Sequence, residues 1–101
     1  MEKIINVALQ ILPKSNTKHA YDIIDKAIEV IHQSGLNYKV CPFETVIEGN
    51  YTDVMNVIYK AQQICFSEGA SEIITFIKMQ INKDEDVFID TKLEKYQNNK
   101  P

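Results

Sequence analysis

The sequence contains no arginine, since all eleven of its basic residues are lysine. Arginine provides the planar, two-pronged donor that grips carboxylates and phosphates, whereas lysine provides only a point charge. Phosphoryl-transfer and acylphosphatase-type chemistries are therefore disfavoured. Glycine is also scarce, and its three copies, Gly35, Gly49 and Gly69, each fall at a boundary between predicted elements. This leaves no glycine-rich loop that could cradle a phosphate group.

Other absences narrow the class of protein further. No apolar run approaches the ~20 residues that a membrane-spanning helix needs, and the first residues lack the pattern of a secretory signal. We therefore expect a cytoplasmic protein in which Cys41 and Cys65 remain reduced rather than joined in a disulfide. The net charge of −3 argues against nucleic acid as a partner, because binding a phosphate backbone needs a clustered positive field.

What is present is the composition of one small globular domain. The 101 residues are 45% hydrophobic and 25% charged, and this length is enough for one core but not for two. We predict a single domain over residues 1–97 and a disordered tail over residues 98–101.

Hydrophobic spacing alternates along the chain between the period of a strand and the period of a helix. Alternation predicts strands near residues 5–12, 36–41, 45–48 and 73–81, and spacings of three and four predict two helices between them. Asn50, with Asp53 three residues later, is typical of the start of the second helix. After a polar turn, Val87-Phe88-Ile89 is expected to add a brief edge strand and Thr91 to Gln97 a short helix.

The resulting order, β-α-β-β-α-β, predicts an α+β ferredoxin-like fold. Right-handed crossovers and the central hairpin favour a four-stranded antiparallel sheet with both helices on one face, followed by the short C-terminal extension. The other face is then uncovered. We expect it to carry Asn6, Ala8, Gln10, Leu12, Phe76, Lys78 and Gln80. Because this face is half apolar, we expect a second subunit to cover it.

Side chains with catalytic or metal-binding potential are few. Glu44 and Glu48 lie four apart in a predicted strand and so point the same way, where they could attract a cation or simply face solvent. His19 and His32 lie at opposite ends of one helix and cannot share a metal ion. No serine or cysteine has the setting of a nucleophile, so we expect neither an enzyme nor a metal site.

Two segments carry a family resemblance. Ser34-Gly35-Leu36-Asn37-Tyr38 and Thr45-Val46-Ile47-Glu48-Gly49, with Pro42 between them and Asp53-Val54-Met55 after them, resemble the small thiamine-binding protein family. The similarity extends from the first strand through Lys92-Leu93-Glu94-Lys95-Tyr96. Many members have glycine where this chain has Glu44, which places an extra charge beside the hairpin.

The resemblance implies a ferredoxin-like subunit that assembles through its sheets into homodimers or homotetramers. It also implies cytoplasmic binding of thiamine, or of its hydroxymethylpyrimidine portion, without chemical conversion; thiamine is then a bound ligand and not a catalytic cofactor. A flat aminopyrimidine can stack on aromatic rings, and a cationic thiazolium suits a carboxylate. The ligand-binding residues that we predict are Thr45, Glu48, Tyr38, Phe43, Gln10 and Lys78.

Structural roles for the same residues remain open. Thr45 is a good strand former, and Glu48 could cap nearby amides. The alternative function is a structural or regulatory domain that forms oligomers and binds no small molecule.

Overall fold

The computed structural model describes residues 2–98. Four strands form one antiparallel sheet in the order β2-β3-β1-β4, so β3 and β1 are central. The elements are, in chain order, β1 (Ile4–Lys14), α1 (Ala20–Gln33), β2 (Asn37–Val40), β3 (Thr45–Asn50), α2 (Tyr51–Ser67), β4 (Glu72–Gln80) and α3 (Ile89–Asn98). The predicted β-α-β-β-α-β order and the ferredoxin-like α+β fold are confirmed.

The alternation in β1 decides which face of the sheet the helices cover. Ile5, Val7, Leu9 and Ile11 are all buried, and they form one core with the apolar stripes of α1 and α2. Fully burying an aliphatic side chain of this size stabilises the folded state by about 1.5–3 kcal/mol. Both helices therefore pack on the same face of the sheet, as the sequence predicts.

The start of α2 and the end of α1 lie where the sequence indicates. Asn50 Oδ1 accepts a hydrogen bond from the Asp53 amide at 2.8 Å, and Asn50 Nδ2 donates to the Asp53 carboxylate at 3.1 Å. This cap satisfies an amide that the first helical turn leaves without a partner. Gly35 has a φ of +79°, the left-handed conformation that closes α1.

Gly49, near the end of β3, is required by close packing. A Cβ atom at this position would lie 3.2 Å from side-chain carbons of both Leu36 and Val54. The strand therefore passes between these two residues with no room for a larger side chain. The glycine of the Thr-x-Ile-Glu-Gly segment thus has a structural explanation.

The prediction of an edge strand at Val87–Ile89 is wrong. The Val87 amide does donate to the Ile4 carbonyl at 2.9 Å, but its own carbonyl accepts from the side chain of Asn6, also at 2.9 Å. The Ile89 amide then donates to a carboxylate oxygen of Glu48 at 2.6 Å. These side-chain partners replace a strand ladder, and α3 begins at Ile89, two residues before the predicted helix.

This C-terminal segment covers part of the sheet face that we expected to be bare. Asn6 belongs to that face, yet it is only 4% exposed, and its side-chain amide donates to the carbonyl of the buried Val87. The backbone of Ile4 is fixed at the same end by the Asp86 carboxylate, 2.8 Å from the Ile4 amide. The face therefore remains open mainly at its far end.

The sequence predicts a disordered tail over residues 98–101. Asn98 is the last residue of α3, and residues 99–101 lie outside the described residues.

The register confirms which residues share the open face. Residues directly opposite each other in a ladder point to the same side of the sheet. Gln10 lies opposite Phe76, and Ala8 lies between Val46 and Lys78. Next to them, Leu12 lies opposite Ile74. The apolar side chains of Leu12, Ile74 and Phe76 are exposed and form a patch on this face.

Candidate functional site

A cleft of about 390 Å³ lies between α1, the loop that joins β2 to β3, and the end of β1. This volume is in the range of small-molecule sites, which are about 300–1,000 Å³. Its walls are mainly apolar and include Leu9, Ile24, Ala27, Ile28 and Ile31. Polar groups in the lining come from Thr45, Gln10, Glu44, Tyr21 and Asp25. An apolar slot with few polar groups suits a flat, partly polar organic molecule.

The cleft exists because two neighbouring strands differ in length. The ladder between β1 and β3 ends at the pair Leu9 and Thr45, whereas β1 continues to Lys14 beside β4. Thr45 is the first residue of β3, and the chain before it forms a tight loop, which is closed by a hydrogen bond from the Cys41 amide to the Glu44 carbonyl at 2.9 Å. The last residues of β1 therefore have an edge that no strand covers.

That uncovered edge presents backbone groups to the cleft. The Lys14 carbonyl accepts from the Ser71 amide at 2.8 Å on the β4 side of the strand. Successive residues in a strand turn their backbone N–H and C=O groups to opposite edges. Hence the N–H and C=O of Ile11 face the other edge, where the ladder with β3 has stopped, and Ile11 lines the cleft. They supply one donor and one acceptor side by side.

Thr45 adds a polar group to the buried part of the cleft. It is only 7% exposed, and its hydroxyl makes no hydrogen bond to any residue in the described range 2–98. Because this hydroxyl has no partner in the described chain, it can donate to or accept from a ligand atom in the cleft. Thr45 is thus the side chain best placed to meet a polar ligand atom.

The mouth of the cleft is aromatic and acidic. Tyr21 on α1 is 73% exposed, and Phe43 in the β2–β3 loop is 83% exposed. The charged residues in the lining are Asp25 and Glu44, and no lysine of the described chain joins them there. The Glu44 carboxylate lies 3.4 Å from Lys78 Nζ, which belongs to the open sheet face. The lining therefore favours neutral or cationic ligands over anions.

The structure brings together three of the six predicted ligand-binding residues. Thr45, Phe43 and Gln10 all line the cleft, although the register places the side chain of Gln10 on the open sheet face, opposite Phe76. Lys78 lies on the open sheet face and reaches the cleft only through its ion pair with Glu44. Tyr38 packs against the core from β2, and its hydroxyl lies 2.8 Å from Nδ1 of His32, away from the cleft.

Glu48, the sixth predicted residue, lies on the open face and holds the C-terminal helix. One carboxylate oxygen accepts from the Ile89 amide at 2.6 Å, and the other accepts from Asn37 Nδ2 at 2.9 Å. A carboxylate at this position complements the positive end of α3. Its observed contacts are therefore structural, and they join β2, β3 and α3.

Sequence reasoning did not single out Tyr21 and Asp25. Both belong to α1, where they lie three residues before Ile24 and Ile28 respectively. Residues three apart on a helix share a face, so the spacing places both beside the apolar stripe. The helical spacing of the sequence therefore places Tyr21 and Asp25 on one face of α1. It does not show that the β2–β3 loop with Phe43 lies opposite that face, and this position is what makes the two residues part of a cleft.

The two cysteines differ in their surroundings. Burial within α2 raises the pKa of the Cys65 thiol above its usual value of 9.0, which opposes formation of a thiolate. Cys41 is half-buried at the rim of the cleft. In residues 2–98 there is no cluster of three or more histidine, cysteine or acidic side chains that could hold a metal ion. Nor does any helix in that range have the length and apolarity needed to cross a membrane.

Comparison with known proteins identifies the family of this chain. The family model described as "Thiamine-binding protein" matches residues 7–97. The chain belongs to the thiamine-binding protein family. A UPF0045 protein from Clostridium perfringens is 40% identical to this chain over 91 residues. The matched region covers 90% of this chain and 95% of the relative.

Solved structures share the fold of this chain. A domain of unknown function from Bacillus cereus superposes with a TM-score of 0.92 at 40% identity, covering 95% of this chain and 92% of the other. A Thermotoga maritima protein, provisionally assigned to thiamine biosynthesis or salvage, superposes with a TM-score of 0.82. It is 22% identical and covers 92% of this chain and 98% of its own, so it shows the shared fold alone.

The segments that resemble the thiamine-binding protein family contain residues of two kinds: some line the cleft and others stabilise the fold. Thr45 contributes its hydroxyl to the cleft, whereas Glu48 anchors α3 and Gly49 allows close packing. Leu36, from the preceding segment, packs against Gly49. Much of this pattern therefore secures the hairpin and the C-terminal segment, whereas Thr45 faces the cleft.

Proposed function

We propose that this protein binds thiamine, or the hydroxymethylpyrimidine portion of thiamine, in the cleft beside Thr45 and releases it unchanged. The observation that carries the proposal is a set of polar groups between the apolar walls of the cleft. These are the Thr45 hydroxyl and the backbone edge of β1, which have no partners in the described chain. Membership of the thiamine-binding protein family supports the identity of the ligand.

The polar groups suit an aminopyrimidine. This ring offers an amino donor beside a ring-nitrogen acceptor along one edge. The carbonyl and amide of Ile11 form the matching acceptor and donor, and the Thr45 hydroxyl can do either. The two faces of the ring would lie against the aliphatic walls from α1 and β1. The cleft can thus satisfy both the flat apolar faces and the polar edge of the ligand.

The lining favours the unphosphorylated form of the ligand. It contains two carboxylates and no basic side chain from the described residues, and the sequence has no arginine at all. Glu44 is paired with Lys78, which lies outside the lining, so a diphosphate in the cleft would meet the charge of Asp25 without a basic side chain in the lining to compensate it. We therefore propose preference for free thiamine or its pyrimidine over thiamine diphosphate.

Binding without turnover fits the chemical groups that surround the cleft. The side chains in its lining include a threonine, a half-buried cysteine and two carboxylates, but no histidine that could act as a base beside a nucleophile. We propose a non-catalytic role as a cytoplasmic carrier, buffer or sensor of the vitamin.

Self-association is part of the proposal. Phe76 is 54% exposed on the open sheet face, midway along the edge strand β4 and next to the exposed pair Leu12 and Ile74. A second copy that covers this patch would bury its apolar surface, which favours a homodimer or homotetramer. The same patch supports the alternative function, a structural or regulatory oligomer that binds no small molecule.

Measuring the molar mass in solution by light scattering tests whether the chain forms an oligomer. A monomer at all concentrations would contradict self-association.

Titration calorimetry tests ligand binding. Thiamine, hydroxymethylpyrimidine and thiamine diphosphate are each titrated into the full chain, and we expect saturable binding of the first two and weaker binding of the third. Thr45→Val keeps the shape and strand preference of the side chain but removes its hydroxyl. We expect this variant to weaken binding about tenfold, the loss of roughly one hydrogen bond of 1.4 kcal/mol.

A matched control and a contradicting outcome complete the test. Thr52→Val makes the same substitution at an exposed residue of α2 that does not line the cleft, and it should leave affinity unchanged. Absence of binding for all three ligands by the wild-type chain would remove the proposed function and leave the structural oligomer as the better account.

A further inference from the structure

We propose that the mouth of the cleft is a site for an organic cation, formed by the rings of Tyr21 and Phe43 and the carboxylate of Asp25. This inference rests on the proposed function and assigns the part of the ligand that the mouth would hold: a positively charged, planar ring such as the thiazolium. The deep part of the cleft would then take the neutral pyrimidine. The mouth thereby sets the selectivity for the whole ligand over its pyrimidine half.

The two aromatic rings are exposed on different elements that meet at one opening. Tyr21 lies in the first turn of α1, and Phe43 lies in the β2–β3 loop. Both line the same cleft although roughly three quarters or more of each residue is open to solvent. Aromatic faces attract cations through their quadrupole, and a flat cation can also stack on them. A planar cation between the rings would cover apolar surface that is otherwise in water.

Asp25 provides the negative charge. It lies one turn after Tyr21 on α1 and also lines the cleft. Its carboxylate takes part in no ion pair or hydrogen bond with the described residues, although Lys26 beside it in sequence pairs with Glu29. The other carboxylate of the lining, Glu44, is already paired with Lys78. Asp25 is therefore the free charge that a ligand cation would meet.

An independent observation indicates that the same cleft accepts a ligand. Thr45 is more than nine-tenths buried, lines the cleft, and keeps a hydroxyl that has no partner within the described chain. The acidic mouth thus belongs to a cavity that also contains a hydroxyl without a protein partner among the described residues. A ligand with a polar flat end and a cationic end would match both regions at once.

Titration calorimetry on the full chain with two ligands separates the mouth from the deep cleft. Thiamine carries the cationic ring, and hydroxymethylpyrimidine lacks it. For Asp25→Asn we expect thiamine affinity to fall about fivefold, as for a partly exposed ion pair, with less than a twofold change for the pyrimidine. Phe43→Leu should lower thiamine affinity by a similar factor, because leucine keeps an apolar surface but removes the ring.

The matched control is Asp22→Asn, which removes the same charge from α1 at an exposed residue outside the cleft lining. It should leave both affinities unchanged. Raising the ionic strength from about 0.05 M to about 0.5 M should weaken thiamine binding to the wild-type chain more than pyrimidine binding. Together these results would support a cation site at the mouth.

Each remaining outcome has a distinct meaning. If both ligands bind but Asp25→Asn and Asp22→Asn give the same thiamine affinity, the cation site is refuted while the proposed function stands. Binding of the pyrimidine with weaker binding of thiamine would also refute it. If the wild-type chain binds neither ligand, the proposed function itself fails and the cation site fails with it.

Discussion

Replacing Glu48 by glutamine distinguishes a structural role for this residue from a role in ligand binding. Its carboxylate accepts hydrogen bonds from the Ile89 amide at 2.6 Å and from Asn37 Nδ2 at 2.9 Å. Glutamine keeps one acceptor oxygen and puts an NH₂ donor in place of the other. One charge-assisted bond is therefore lost and the second becomes a neutral one.

The expected cost follows from those two contacts. Hydrogen bonds to charged groups contribute about 1.5–3 kcal/mol each, and the half-buried position of Glu48 reduces this through solvent screening. We expect Glu48→Gln to destabilise the docking of α3 by about 1.5–3 kcal/mol in total. Since about 1.4 kcal/mol is a factor of ten, opening of the segment should become roughly 10- to 100-fold more frequent.

Hydrogen exchange measures this opening residue by residue. In Glu48→Gln the amides of Val87 and Ile89 should exchange about 10- to 100-fold faster than in the wild-type chain, whereas the amide of Val7 in the sheet centre should change little. Glu94→Gln makes the same charge change at an exposed residue of α3 and should leave the exchange unaltered. Thiamine affinity should stay within twofold. Unchanged exchange at Ile89 together with weakened thiamine binding would refute the structural role and restore Glu48 as a ligand-binding residue.

Two further predictions use the cysteines. Because burial raises the pKa of the Cys65 thiol above 9.0, the folded state keeps this proton at a pH where the unfolded chain loses it. The contribution of Cys65 to stability is thus complete below about pH 9 and declines above it. Between about pH 8 and about pH 10 the urea midpoint should therefore fall less in Cys65→Ala than in the wild-type chain, and equal falls would contradict this. Cys41 lines the cleft, so saturating thiamine should slow its alkylation, and an unchanged rate would place the ligand elsewhere.

Much of the fold follows from local patterns. The alternation of Ile5, Val7 and Leu9 identifies the buried face of β1 without further information, because strand geometry fixes it. The cap at Asn50 is likewise a local feature, satisfied by an amide three residues away. The C-terminal segment is different. Val87-Phe88-Ile89 has the composition of a strand, but long-range contacts from Asn6 and Glu48 give it another conformation.

The site is less accessible to sequence reasoning because it depends on register. The cleft forms where the ladder between β1 and β3 stops at Thr45, the first residue of β3, while β1 continues beside β4; no local pattern reveals this difference in length. The resemblance to the family points to Thr45 and Glu48 together. Only the pleat of β3 shows that Thr45 faces the helices and Glu48 faces the opposite side. Asp25 enters the site through the orientation of α1 relative to the β2–β3 loop.

The most direct test of ligand binding in this cleft is a titration of ¹⁵N-labelled protein with thiamine, followed by amide chemical shifts. We predict saturable shifts at Ile11, Asp25 and Thr45, with little change at Lys78 and Ile89 on the open face. Shifts concentrated at Lys78 and Ile89, with Ile11 and Thr45 unmoved, would contradict the cleft as the binding site.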